Sequence, residues 1–402
     1  MKIINIIVVD YPFSRSTSLI NLTRELAKNY DLKIFCESVD LSDFPDELKK
    51  YIISKNQFKV SSTEINSRTN NSLKKILTLL FLYSITIYLI NVFHNIRYLL
   101  KLINFGKWLK SEKLQGKIIT IDKWGLFPCL VAGYKTDIYY SLEACPLFEC
   151  KNLNIFLFTL IEKIYLKLAH PALISQSNNR IALIDKYFAL KSFILPATSN
   201  GPTIVKSDFL RLHLKIPNYK KIVLMAGGLG QDQLTEEIVK TVLFWDDNFI
   251  LVLHFADGKP SKIVKEIIAR NNLKDKVVIS NLKLTLDQAQ NQVFSGADIG
   301  IVYYRNINSN YRNVAYSSGK LSDNLRCGVP VIVPDFGDFK SVIDKYDFGI
   351  TSSLENIPLN LLTINKNLPY YSQNAYDAYN EVYKFNNYIS GLNKFIYDSL
   401  GK

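Results

Sequence analysis

Short β-branched apolar runs alternate along this chain with stretches whose apolar residues recur every three or four positions. Residues 4–9 are almost continuously apolar, as in a strand buried on both faces of a parallel sheet, and residues 16–29 carry Leu19, Leu22 and Leu26 at helical spacing. The same rhythm predicts strands at 32–36, Lys117–Ile121, 137–141 and Ala172–Ser175, with helical stretches between them. Strand followed by helix, repeated, is the pattern of a Rossmann-like α/β domain. Residues 195–202 read Leu-Pro-Ala-Thr-Ser-Asn-Gly-Pro and break the rhythm, which predicts a linker. Beyond it the alternation resumes, with strands predicted at 221–225, Phe249–Phe255, 276–279, 298–302 and 330–333, and helices at 232–244 and 261–270. The division expected is residues 1–197 as a first Rossmann-like domain and 198–374 as a second. The helically spaced tail, 375–402, is expected to pack across both.

One segment departs from the pattern. Residues 76–96 contain no charge, are flanked by Lys74, Lys75 and Arg97, and are long enough to span a bilayer. They also carry Thr78, Ser84, Thr86, Asn91, His94 and Asn95, and positive residues stand at both ends, so no orientation is favoured. A single span would also put residues 4–9 and Lys117–Ile121 on opposite sides of a membrane, although both fit one sheet. The expectation is an apolar helix pair that is buried or lies in the membrane interface.

Lys plus Arg outnumber Asp plus Glu by 49 to 36, a net charge of +13, which favours anionic partners: nucleotide diphosphates, anionic lipids or nucleic acid. No clustered basic stripe, zinc knuckle or aromatic RNA-binding strand supports nucleic acid. The five cysteines are scattered and the four histidines stand far apart, so reduced thiols and no required metal are expected. The N-terminal apolar run is too short for a signal segment and ends in Asp10, which points to a cytoplasmic protein.

Two stretches offer chemistry. Met225-Ala-Gly-Gly-Leu-Gly230 follows a predicted strand, so the bare backbone at Gly227 and Gly228 can approach a phosphate; glycine turns after strands also serve tight geometry alone. In Tyr316-Ser-Ser-Gly-Lys-Leu-Ser-Asp-Asn-Leu-Arg-Cys-Gly-Val-Pro-Val-Ile332, small residues and a lysine open a helix. Free N–H groups and a cation there suit a diphosphate, and a carboxylate one turn on suits vicinal sugar hydroxyls. The plain alternative is a solvated lysine and an aspartate that balances the helix dipole.

Here the chain resembles a family. Lys320-Leu-Ser-Asp-Asn-Leu-Arg-Cys-Gly-Val-Pro-Val331 is similar to the Lys-Leu-x-Glu-Tyr-Leu-x-x-Gly-x-Pro-Val signature of GT-B glycosyltransferases, especially retaining family 4 and its relatives. Tyr140-Ser-Leu-Glu143, Leu195-Pro196 and Ala297-Asp-Ile-Gly-Ile-Val302 resemble further family segments in the same order. The resemblance implies an α/β protein of GT-B fold: two Rossmann-like domains facing across a cleft, with a C-terminal helix crossing back. It implies a glycosyltransferase, a hexosyltransferase of bacterial surface polysaccharide synthesis, using a UDP or GDP sugar and a lipid-linked or saccharide acceptor. Asp323 then stands where the family's Glu binds ribose, Lys320 with Ser318 and Gly319 lies near the diphosphate, and Gly227 and Gly228 run beneath it. Three departures touch the sugar contacts and the stereochemistry: Asp323 is one carbon shorter, Ala315 replaces an acid, and Leu142 replaces the usual His.

Glu143 is a candidate base or orienting group for the acceptor, with an ordinary surface acid as the equal alternative. Asp122, Arg15 and Ser16 are acceptor-side candidates that are equally at home as structural residues. With the basic surplus and the apolar run, the chain is expected at the inner face of the plasma membrane, peripherally bound through residues 73–110 to an anionic surface. A sugar-nucleotide epimerase of the same fold and a non-catalytic membrane-associated binding protein are the alternatives.

Overall fold

The computed structural model describes residues 2–9, 13, 16–38, 41, 44–56, 82–150, 152–186, 188–255 and 261–401. They form two parallel sheets flanked by helices. The first has seven strands: β1 (Ile3–Val8), β2 (Asp31–Ser38), β3 (Ile52–Asn56), β4 (Lys117–Ile121), β5 (Ile138–Tyr140), β6 (Ala172–Ser175) and β7 (Ser192–Ile194). Their order is β3-β2-β1-β4-β5-β6-β7. The second has six: β8 (Lys221–Gly227), β9 (Phe249–Phe255), β10 (Val277–Ser280), β11 (Ile299–Ile301), β12 (Val331–Pro334) and β13 (Gly349–Ser352), in the order β10-β9-β8-β11-β12-β13. Both orders run outward from a central strand in two directions, which leaves a switch point between β1 and β4 and another between β8 and β11.

The chain separates into two compact units. One comprises Met1–Tyr11, Tyr30–Tyr140 and Cys150–Ala172; the other comprises Pro12–Asn29, Ser141–Glu149 and Leu173–Lys402. In the first unit β1 is buried almost throughout, and its one polar residue, Asn5, donates from Nδ2 to the Gln115 carbonyl at 2.7 Å. Helices Leu82–Ser111, Asp122–Val131 and Leu153–Ala169 meet in a ring cluster, where Trp124 and Phe127 pack edge-on against Phe158 with centroids 5.1 and 4.9 Å apart. In the second unit β9 is buried from end to end and β8 in all but its two terminal residues. One face packs Val223, Leu251 and Ile299 with Ile238 and Val264, and the other packs Ile222, Leu224 and Val252 with Leu210 and Phe294.

Three strands have no counterpart in the hydrophobic pattern: β3, β7 and β13. Each is short and carries polar residues, so too few alternations accumulate to stand out, and pairing with a longer neighbour decides their conformation. The tail corrects the expectation of one helical run. Helix Leu368–Ala378 passes into a π-helical turn at Tyr379–Tyr383, and helix Ile389–Leu400 begins only after a further short turn. At the break the tail bonds to the linker: Tyr379 Oη donates to the Gly201 carbonyl at 2.6 Å, and the Ser199 N–H donates to the Tyr383 carbonyl at 3.0 Å. Of the apolar run, residues 76–81 lie outside the described residues, and 82–96 open a single helix, Leu82–Ser111. Among the described residues no helix is long and apolar enough to cross a membrane.

Candidate functional site

At the C-terminal ends of β8 and β9 and beyond β11, the second unit encloses a cavity of about 340 Å³. This is the switch point of its sheet, where ligands of doubly wound proteins bind. One wall is the start of helix Gly319–Arg326. Ser318 caps it, its Oγ accepting from the Leu321 N–H at 3.3 Å, while Leu321 and Leu325 anchor the inner side of the helix in the core. Ser318 Oγ also meets Tyr304 Oη at 2.8 Å, which fixes the cap from below. The N–H groups of the first turn are therefore aimed and held before any ligand arrives.

Lys320 lies across the glycine turn. Its Nζ donates to the Gly228 carbonyl at 3.1 Å and stands 5.4 Å from the centre of the Tyr304 ring. Gly227 has φ +100°, a backbone conformation that favours glycine, and its bare Cα lets Lys320 Cε lie where a Cβ would come within 2.9 Å of it. Burial among these groups pulls the ammonium down to about 8. Asp323, on the same helix face, is buried; its Oδ1 accepts from Ser199 Oγ at 2.6 Å and Gln290 Nε2 at 2.7 Å. Burial raises its carboxyl to about 6, and the two hydrogen bonds hold it from rising further.

The opposite wall is apolar, made of Leu284, Leu286, Ala289 and Phe294 with the capped helix start at Thr285. His254 closes the floor. Its Nδ1 lies 3.0 Å from Ser280 Oγ, its register partner on β10, and burial pushes its pKa down to about 4, so the imidazole is neutral near pH 7. Thr17, the first residue of helix Thr17–Leu26, completes the lining beside Gly319.

The structure thus brings Gly227, Gly228, Ser318, Gly319, Lys320 and Asp323 into one cavity. Glu143 is exposed in the same unit, on a loop tied to residues 309–313. Buried Arg180 binds that loop, donating to the carbonyls of Leu142 (2.5 Å), Asn310 (2.9 Å) and Asn313 (2.7 Å), and the Ala144 N–H donates to Asn310 Oδ1 at 3.1 Å. Burial and a hydrogen bond to Asp232 raise the Tyr311 pKa, and the charge of Glu143 adds to the effect. Ser16 caps helix Thr17–Leu26, and Arg15 lies outside the described residues. Asp122 falls in the first unit, buried, with φ +53° at the start of helix Asp122–Val131. His254, Thr17 and Tyr304 have no motif in the sequence. The signal for His254 was its position, a polar residue at the end of an otherwise apolar strand.

No family model matches the chain, and no curated protein matches its sequence. Solved structures do match. Sucrose-phosphate synthase from Thermosynechococcus elongatus has a TM-score of 0.68 at 13% identity, covering 98% of each chain. With its two Rossmann-like sheets and this match across almost the whole chain, the class is decided. The protein has the GT-B fold. Anabaena Alr3699/HepE in complex with UDP and glucose gives a TM-score of 0.66 at 10% identity, over 98% of this chain and 99% of that one. WaaG, a glycosyltransferase involved in lipopolysaccharide biosynthesis, gives 0.57 at 12% identity over 95% and 96%. At such identities these GT-B structures speak to architecture, and the chemistry of the site rests on its own residues.

Proposed function

We propose that the protein is a glycosyltransferase that moves a hexose from a nucleoside diphosphate to a lipid-linked or saccharide acceptor in bacterial surface polysaccharide synthesis. The observation that carries this reading is the cavity: a capped helix start, a lysine and a bare glycine turn at one end, and an apolar wall with a carboxylate at the other. A diphosphate matches the first and a nucleoside the second. UDP is favoured over GDP, because Anabaena Alr3699/HepE was solved with UDP and glucose. Lys320 neutralises the phosphate charge that grows as the sugar leaves, and Asp323 accepts from ribose hydroxyls. Glu143 orients or deprotonates the acceptor hydroxyl, with Ser16, Arg15 and Asp122 as acceptor-side groups. The donor belongs to residues 198–374 and the acceptor to 1–197, with 375–402 packing across them. The enzyme works at the inner face of the plasma membrane, held peripherally through residues 73–110.

Calorimetry with UDP and GDP tests the donor site without knowledge of sugar or acceptor. Lys320→Ala and Asp323→Ala should each weaken nucleotide binding by about 1.5–3 kcal/mol, roughly 10–150-fold. Lys320→Ala should also depress turnover, whereas Asp323→Ala acts mainly on affinity. Folded variants that bind as tightly as the parent would remove the donor site from this cavity. Product analysis with a UDP-sugar separates transfer from epimerisation.

A further inference from the structure

Helix Leu153–Ala169 in the first unit is turned inside out. Its inner side carries Phe158, Thr159, Glu162 and Leu166, all buried. Glu162 is only 3% exposed and accepts a hydrogen bond from the Tyr139 hydroxyl. On the other side Leu153, Leu157, Leu160, Ile164 and Leu168 follow one another at helical spacing, and the end members Leu153 and Leu168 are 67% and 77% exposed. A helix facing water would hold its acid outside and its leucines inside, since burying a carboxylate and exposing that apolar area both cost free energy.

The neighbouring helix continues the surface. Leu82–Ser111 leaves Ile96, Leu99 and Leu100 exposed, and it joins Leu153–Ala169 through an edge-on Tyr98–Phe158 contact at 6.4 Å and a hydrogen bond from Asn154 Nδ2 to the Asn95 carbonyl at 3.4 Å. The charge is of one sign. Leu82–Ser111 contains no Asp or Glu, and the sole acid of Leu153–Ala169 is the buried Glu162, whereas Arg97, Lys107, Lys110 and Lys167 are exposed.

We propose that this two-helix face docks on an anionic lipid bilayer, with the leucine stripe at the boundary of acyl chains and headgroups and the basic side chains on lipid phosphates. The inference rests on the membrane reading above. It extends the contact from residues 73–110 to helix Leu153–Ala169, to which the sequence pattern gave no such role.

The test is co-flotation of the full chain with vesicles of phosphatidylcholine alone and of phosphatidylcholine with phosphatidylglycerol. The variant is Leu157→Glu with Ile164→Glu, both exposed positions, and the control is Leu359→Glu with Leu362→Glu on an exposed apolar patch of the second unit. The parent and the control should bind the anionic vesicles, and the Leu157→Glu/Ile164→Glu chain should lose at least about tenfold in partition while keeping its nucleotide affinity. If the parent binds no vesicle, the membrane reading falls as a whole. If the parent binds and the double variant binds equally, residues 73–110 act alone and this inference falls. If light scattering instead finds a parent dimer that the variant splits, the face belongs to a second copy of the chain and the proposal is overturned.

Discussion

Lys320 and Asp323 titrate on either side of neutrality, and this gives the proposed donor site a signature that side-chain deletion alone does not. With its pKa lowered to about 8, Lys320 loses its proton as pH rises through that value, and the attraction for diphosphate goes with it. Asp323, raised to about 6, gains a proton as pH falls through that value and would then accept less well from the ribose hydroxyls it is proposed to hold. His254, at about 4, stays neutral across this window and adds no limb of its own. A UDP-hexose, whose phosphates carry no titrating proton here, should therefore bind most tightly near pH 7, with affinity falling on both sides. Lys320→Arg should flatten the alkaline limb and Asp323→Asn the acid one, as read by titration calorimetry from about pH 5 to 9. A flat profile in the parent would mean that neither group touches the ligand. That Lys320 and Asp323 share one helix face was legible in the sequence from their three-residue spacing, whereas their proposed donor role came from the family resemblance. His254 was not, because only the pairing of β9 with β10 brings Ser280 to its Nδ1 and turns an isolated histidine into part of a cavity floor.

At the scale of elements, the loop carrying Glu143 depends on a chain of contacts that no local pattern announces. Arg180 reaches from helix Asn178–Ile184 to three carbonyls, two of them in the segment 310–313. Gly337, at φ +67°, backs that segment: a Cβ there would stand 2.0 Å from the Arg312 carbonyl oxygen. Gly337→Ala should therefore cost about 1–3 kcal/mol of stability, through left-handed strain and displacement of a packed backbone. Denaturant unfolding measures it, and a cost within about 0.5 kcal/mol of zero would show that the segment yields freely. The long strands β8 and β9 were readable because uninterrupted apolar runs leave few alternatives. Helix Leu153–Ala169 shows the limit of that reading. Its strongest apolar stripe faces outward, and only the placement of Tyr139 and Thr159 reveals which side is inner. Periodicity identifies a helix and its faces, and what covers each face is decided by tertiary partners.

Across the whole molecule, the described residues lining the cavity of about 340 Å³ all belong to the unit made of Pro12–Asn29, Ser141–Glu149 and Leu173–Lys402. The other unit has its own core, built around Ile7, Phe35, Phe105 and Phe158, and none of its described residues joins that lining. A nucleotide that binds the native cavity alone stabilises what must stay folded to form it, by about 2.7 kcal/mol at 100 times its dissociation constant. For a unit of this size that corresponds to a rise of roughly 5–10 °C in its unfolding midpoint. Hydrogen exchange with saturating UDP should accordingly slow amides in β8, β9 and helix Gly319–Arg326, and leave β2, β4 and helix Leu153–Ala169 at their free rates. Slowing confined to the latter group would mean that the nucleotide binds on the first unit. The assignment of Lys320 and Asp323 would then fail even if the protein proved to be a transferase, because the ligand they are proposed to hold would be protecting a different core.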